Sequence, residues 1–160
     1  MASATSIKAF IEQPALAIVG VSRSGRRFCN FARRVLQSKG YRIYPIHPTA
    51  TEIAGARCYR SFGDLPERVD AALVVVPSAQ AIQVVNAAAA AGIHHVWLQQ
   101  GAESPELLDV CRRLGLDVVS GECVLMFAHP TGYHRAHRWI AGMLGRLPVL
   151  VEGQSRPESG

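Results

Sequence analysis

At 160 residues, 49% of them apolar, and with a net charge of +5, the chain fits one domain able to bury its own core. No apolar run approaches the roughly 20 residues of a membrane helix, and Met1–Ser6 lacks the layout of a secretory signal, so a cytoplasmic location is expected. Four cysteines, Cys29, Cys58, Cys111 and Cys123, form no C-x-x-C pair, which leaves a zinc cage unsupported and points to reduced thiols.

The first pattern is a short helix over 5–13, with Thr5 or Ser6 as its cap, followed by an apolar strand over 15–19. Phe28, Phe31, Ala32, Val35 and Leu36 then recur at helical spacing until Gly40. A second strand, 41–46, stops at His47-Pro48, and residues 56–60 add a short one. Asp64-Leu65-Pro66-Glu67 has capping-box spacing and predicts a brief helix. Residues 70–77 form a strand that is apolar without a break after Asp70, the signature of burial on both faces in a parallel sheet. Ser78 caps a helix that ends in the alanine tract 87–91 at Gly92, where small side chains imply close packing on the sheet.

Residues 95–99 make the next strand. Ser104-Pro105-Glu106 reads as cap, first-turn proline and first-turn acid, with Leu107, Cys111 and Leu114 as the inward stripe. Residues 116–119 complete the sheet and 123–128 extend it. A final helix, 132–145, carries Tyr133, Ala136, Ile140, Met143 and Leu144 on one face, which points to a homodimer contact, and the polar tail 151–160 is expected to be disordered. The expectation is an α/β, Rossmann-like, doubly wound and mostly parallel sheet of five to six strands with helices on both faces, in a single domain over 1–150. Trp97 and Trp139 are expected in the core or an interface, and His94 and His95 as polar groups near strand ends.

In such a sheet ligands gather beyond the carboxyl ends of the strands. After the first strand comes Gly20-Val21-Ser22-Arg23-Ser24-Gly25-Arg26-Arg27: a glycine turn, small residues and three arginines ahead of a helix. The backbone N–H groups at Gly20 and Ser22, the helix dipole and the side chains of Arg23, Arg26 and Arg27 suit a phosphate. The spacing departs from G-x-G-x-x-G, since serine replaces the glycine against which a dinucleotide pyrophosphate would press. An NAD site also places an acid about 20 residues past the glycines. Here the second strand ends at His47-Pro48, with no acid before Glu52, which leaves NADP and coenzyme A.

The charge agrees. Residues 1–60 hold ten Lys or Arg against two Glu, while 61–160 hold seven against ten acids, and fifteen of the seventeen cations are arginine. A basic half calls for an anionic partner. Nucleic acid is disfavoured, because no RNP-like, zinc-finger or basic-zipper pattern occurs. His129, His134 and His137 approach metal-ligand spacing, yet no carboxylate or cysteine stands nearby to complete a set, so no metal is expected.

Val19-Gly20-Val21-Ser22-Arg23, Tyr44-Pro45-Ile46-His47-Pro48, Val75-Val76-Pro77-Ser78, Val96-Trp97-Leu98-Gln99-Gln100-Gly101-Ala102 and Gly121-Glu122-Cys123 occur in order, each at a strand end. Over roughly residues 10–128 the chain resembles the CoA-binding domain family, small Rossmann-like proteins related to the nucleotide-binding domain of the succinyl-CoA synthetase alpha subunit. The resemblance implies that Gly20, Ser22 and Arg23, with Val21 between them, hold the CoA diphosphate. Arg26 and Arg27 are further binding candidates in a segment richer in arginine than the family's, and which phosphate they meet stays open. It implies that Pro48 borders the adenine–ribose end, that Pro77 and Ser78 meet the middle of the ligand, and that Gln99 and Gly101 line the pantetheine path. His47, Val76 and Cys123, at the same strand ends, are further cofactor-binding candidates.

Larger synthetases of this kind add a phosphohistidine domain and an ATP-grasp partner, for which the chain has no matching stretch. No catalytic residue is therefore assigned, and a binding protein for coenzyme A or an acyl-CoA, cytoplasmic and without catalysis of its own, is expected. Cys123 is a candidate for a mixed disulfide with CoA, against the plainer expectation of a buried structural thiol. The alternative is an NADP-dependent oxidoreductase.

Overall fold

The computed structural model describes residues 2–23 and 28–128. Arg26 and Arg27, His129, His134 and His137, the expected helix 132–145, Trp139 and the tail 151–160 lie outside the described residues. The elements in order are α1 (Ala4–Ile11), β1 (Ala15–Val19), α2 (Phe28–Ser38), β2 (Arg42–Ile46), β3 (Glu52–Ile53), β4 (Ala56–Arg57), β5 (Ala71–Val74), α3 (Ser78–Ala90), β6 (His95–Leu98), α4 (Pro105–Arg113) and β7 (Asp117–Val119).

Five strands form one sheet in the order β2-β1-β5-β6-β7, and every neighbouring pair is parallel. Alternation along β1 explains the layers. Leu16 and Ile18 face a core shared with α1, α2 and Trp97, whereas Ala15 and Ala17 face the core built on α3 and α4. The expected doubly wound architecture is what the chain adopts. Trp97 is fully buried, with Phe10 and Phe127 rings at 5.2 and 5.8 Å, and its indole N–H donates to the Glu122 carbonyl at 3.0 Å.

Several local expectations give way to tertiary contacts. Ser3, not Thr5 or Ser6, caps α1 by accepting from the Ser6 N–H at 2.9 Å. Ser78 is the first residue of α3 and caps nothing; Pro77 holds the cap position. The brief helix expected from Asp64 is instead a single 3-10 turn over Phe62–Asp64. Leu65, preceding a proline, stays extended, and Glu67 is drawn away to Arg42 and Tyr44.

The strand expected over 56–60 is β4, paired antiparallel with β3, plus a lone bridge from Tyr59 to Ile46. Residues 123–128 are not a strand: Val124–Met126 form a 3-10 turn packed on the core face. Phe31 and Leu114 are exposed, at 44% and 38%. The inward face of α2 is taken by Cys29, Asn30, Ala32, Arg33 and Leu36, and α4 ends at Arg113 so that Leu114 falls on its cap. Within the alanine tract only Ala88 is buried.

Candidate functional site

Because all five strands run the same way, the segments after β1, β2, β5, β6 and β7 emerge at one edge. Strand order reverses between β1, which is followed by β2 on one side, and β5 on the other. Gly20 sits at that reversal. Its φ is +116°, and a Cβ there would lie 2.3 Å from the Val75 carbonyl oxygen, so only glycine lets the turn press against the end of β5. The Val75 N–H donates to the Val19 carbonyl at 2.8 Å and holds the two strand ends together.

Beyond Gly20, Val21 turns inward and is buried, Ser22 is half-buried and Arg23 is exposed. The Ser22 N–H, which the sequence offered to a phosphate, is directed to the Asn30 Oδ1 at 3.1 Å, and Asn30 Nδ2 donates to the Ser22 carbonyl at 2.8 Å. Asn30 is fully buried and was missed from sequence: an asparagine inside a helical stripe carries no signal that the preceding loop folds back over it. Arg23 Nη2 donates to Thr49 Oγ1 at 2.8 Å, which joins the loops after β1 and β2. No carboxylate pairs with Arg23 among the described residues.

After β2, His47 Nδ1 accepts from the backbone N–H groups of Thr49 and Ala50 at 3.2 and 2.9 Å, so this ring atom shapes the turn, while Pro48 is exposed. After β5, Val76 packs partly against the α3–α4 core, Pro77 is exposed and Ser78 opens α3. After β6, Gln99 is buried at 7% exposure. Its Oε1 accepts from the Val124 N–H at 3.2 Å, and its Nε2 has no hydrogen-bond partner among the described residues. A buried amide donor of this kind fits a ligand that brings a carbonyl or other acceptor. Gly101, at φ +93°, donates its N–H to Glu103 Oε2 at 2.8 Å.

Cys123 is half-buried between two anchors, the Trp97 bond to Glu122 and the Gln99 bond to Val124. The other three thiols are buried: desolvation pushes Cys29 up to about 12 and Cys111 to about 11, and raises Cys58 as well. Burial also raises the Glu122 carboxyl. His94 and His95 lie at the opposite edge, where their Nδ1 atoms meet Asp70 at 2.7 Å and Asp117 at 3.1 Å. No group of three His, Cys, Asp or Glu forms a metal site among the described residues. No helix among them is long and apolar enough to cross a membrane.

Comparison with known proteins decides the family, since a model of the CoA binding domain matches residues 15–129. The chain belongs to the CoA-binding domain family. This CoA-binding domain is 25% identical over 147 residues to acetate–CoA ligase (ADP-forming) I of Archaeoglobus fulgidus, a match over 86% of this chain and 22% of the ligase. It is 34% identical over 116 residues to acetate–CoA ligase (ADP-forming) II of the same organism, over 64% of this chain and 17% of that protein. The domain thus spans about a fifth of the length of these ligases. Among solved structures, a conserved hypothetical protein from Pyrococcus furiosus superposes with a TM-score of 0.64 at 36% identity, over 69% of this chain and 95% of that one. The NADP alternative finds no support in these relatives.

Proposed function

We propose that this domain binds coenzyme A, or an acyl-CoA, across the carboxyl edge of the sheet and acts as a binding module without chemistry of its own. The diphosphate lies on the Gly20–Arg23 turn and the start of α2, the adenine–ribose end beside His47 and Pro48, and the pantetheine arm passes Val76, Pro77 and Ser78 toward Gln99, Gly101 and Cys123. Arg26 and Arg27 add positive charge that suits an anionic ligand.

The observation that carries this reading is Arg23. Its guanidinium bonds a neutral hydroxyl, Thr49 Oγ1, at the turn where an NAD site requires an acid. A cation at that turn suits a nucleotide with a phosphate on its ribose, and the family match selects CoA among such nucleotides. Resemblance to acetate–CoA ligases supports the same ligand, and the Gln99 Nε2, without a hydrogen-bond partner among the described residues, suits the amide carbonyls of a pantetheine arm.

Isothermal titration with CoA, acetyl-CoA, ADP, NADP and a short oligonucleotide tests the proposal. CoA and acetyl-CoA bind most tightly, ADP binds weakly, and NADP and the oligonucleotide do not compete. NADP binding in preference to CoA overturns the ligand assignment. Release of free thiol from acetyl-CoA during incubation overturns the non-catalytic assignment.

A further inference from the structure

Asn30 is fully enclosed in α2, yet its amide atoms are spent outside the helix. Oδ1 accepts from the Ser22 N–H and Nδ2 donates to the Ser22 carbonyl, so one side chain satisfies both backbone groups of one residue, as a neighbouring strand would. A buried amide is costly unless paired, and an apolar residue would serve the helix core better. One turn further on, the buried Arg33 donates to the Ala54 carbonyl at 3.2 Å and to Gln37 Oε1 at 2.9 Å. The inner face of α2 therefore holds the loop after β1 through Asn30 and the β3–β4 hairpin through Arg33.

We infer that Asn30 is a positioning residue for ligand binding: it holds the Ser22 turn in its binding shape before the ligand arrives. The inference rests on the reading of this turn as the diphosphate site. The Ser22 N–H is committed to Asn30, so Asn30 acts through the shape of the turn and leaves Arg23 to meet the anion. A turn already ordered in the free protein binds without the entropy cost of folding a loop around a diphosphate.

Hydrogen exchange of the ligand-free protein reads the ordered turn, and CoA titration reads its consequence. In Asn30→Ala the Ser22 amide exchanges about tenfold faster or more, β5 and β6 amides keep their wild-type rates, and CoA binds about tenfold more weakly or worse. Faster exchange spread through β5 and β6, an unchanged Ser22 rate, or CoA affinity that stays near wild type overturns the inference.

If Asn30→Ala does not fold, Asn30→Asp decides. An ionised carboxylate accepts from the Ser22 N–H but repels the Ser22 carbonyl, whereas the protonated acid restores the donor–acceptor pair. The affinity of this variant relative to wild type rises as pH falls from about 8 to about 5; a pH-independent ratio overturns the inference. Wild-type protein that binds no CoA sinks the underlying functional reading, a failure visible before any variant is made.

Discussion

Gly20 and Val75 meet backbone to backbone at the point where strand order reverses: a Cβ on Gly20 would stand 2.3 Å from the Val75 carbonyl oxygen. The contact closes the crevice floor between β1 and β5 and sends the following loop over the sheet edge. Two constraints act on one residue, a φ of +116° and the absence of room.

Gly20→Ala is therefore expected to destabilise the domain by about 2–4 kcal/mol, combining backbone strain with overpacking against atoms that cannot rotate away. Urea unfolding measures it. A loss under about 0.5 kcal/mol, the range of ordinary surface substitutions, would mean that the β5 end yields easily and the contact is not a constraint.

Ser22→Asp places a carboxylate on the turn proposed to carry the diphosphate. CoA affinity should fall about tenfold or more through like-charge repulsion, with the thermal midpoint near that of wild type. Titration calorimetry distinguishes the two effects, and unchanged affinity would move the diphosphate off this turn.

Gln99→Leu preserves bulk but removes the acceptor for the buried Val124 N–H. Leaving that donor unpaired should cost about 1–3 kcal/mol of stability. Because the same amide supplies the Nε2 donor proposed to meet the ligand, affinity for CoA should fall as well. If equilibrium unfolding and CoA titration both match wild type, Gln99 neither anchors the 124–126 turn nor contacts the ligand.

Stability should decline above pH 9 because of buried thiols. Burial raises Cys29 from its ordinary value of 9.0 to about 12, against the opposing pull of the Arg33 guanidinium. An unfolded thiol ionises near 9, so between 9 and 12 the native state holds a proton that the unfolded state has released. The stabilisation is complete below pH 9 and is lost as pH rises toward 12, on the order of 4 kcal/mol for Cys29. Unfolding of wild type and Cys29→Ala across this range checks the source: the variant should show the shallower decline, and equal slopes would exclude Cys29.

The parts of the fold that were legible are those in which a local pattern has one reading. Of the strand expected over 70–77, Ala71–Val74 form β5 and sit buried in the sheet interior, and Gly40 and Gly92 follow the ends of α2 and α3, both with positive φ. Ser104 was legible for a similar reason, since its hydroxyl accepts from the Leu107 N–H within the same turn. Phe31 was misjudged because helical spacing fits more than one face. Cys29, Asn30 and Arg33 turn inward, and the bonds that draw Asn30 and Arg33 there reach Ser22 and Ala54, residues outside the helix. The apolar run after Cys123 reads as strand for want of a visible acceptor, yet Gln99, twenty-five residues earlier, binds the Val124 N–H and a 3-10 turn forms.

By itself the sequence determined the alternation of strands and helices, the resemblance to CoA-binding domains, and which segments follow the strands, because periodicity and turn chemistry act over a few residues. Only the tertiary structure decided that β5 lies beside β1, that Gly20 must lack a side chain against Val75, and that Asn30 holds Ser22. Those outcomes depend on close contact between segments that meet only after the chain has folded, where one atom too many or one unpaired donor changes the energy by kilocalories.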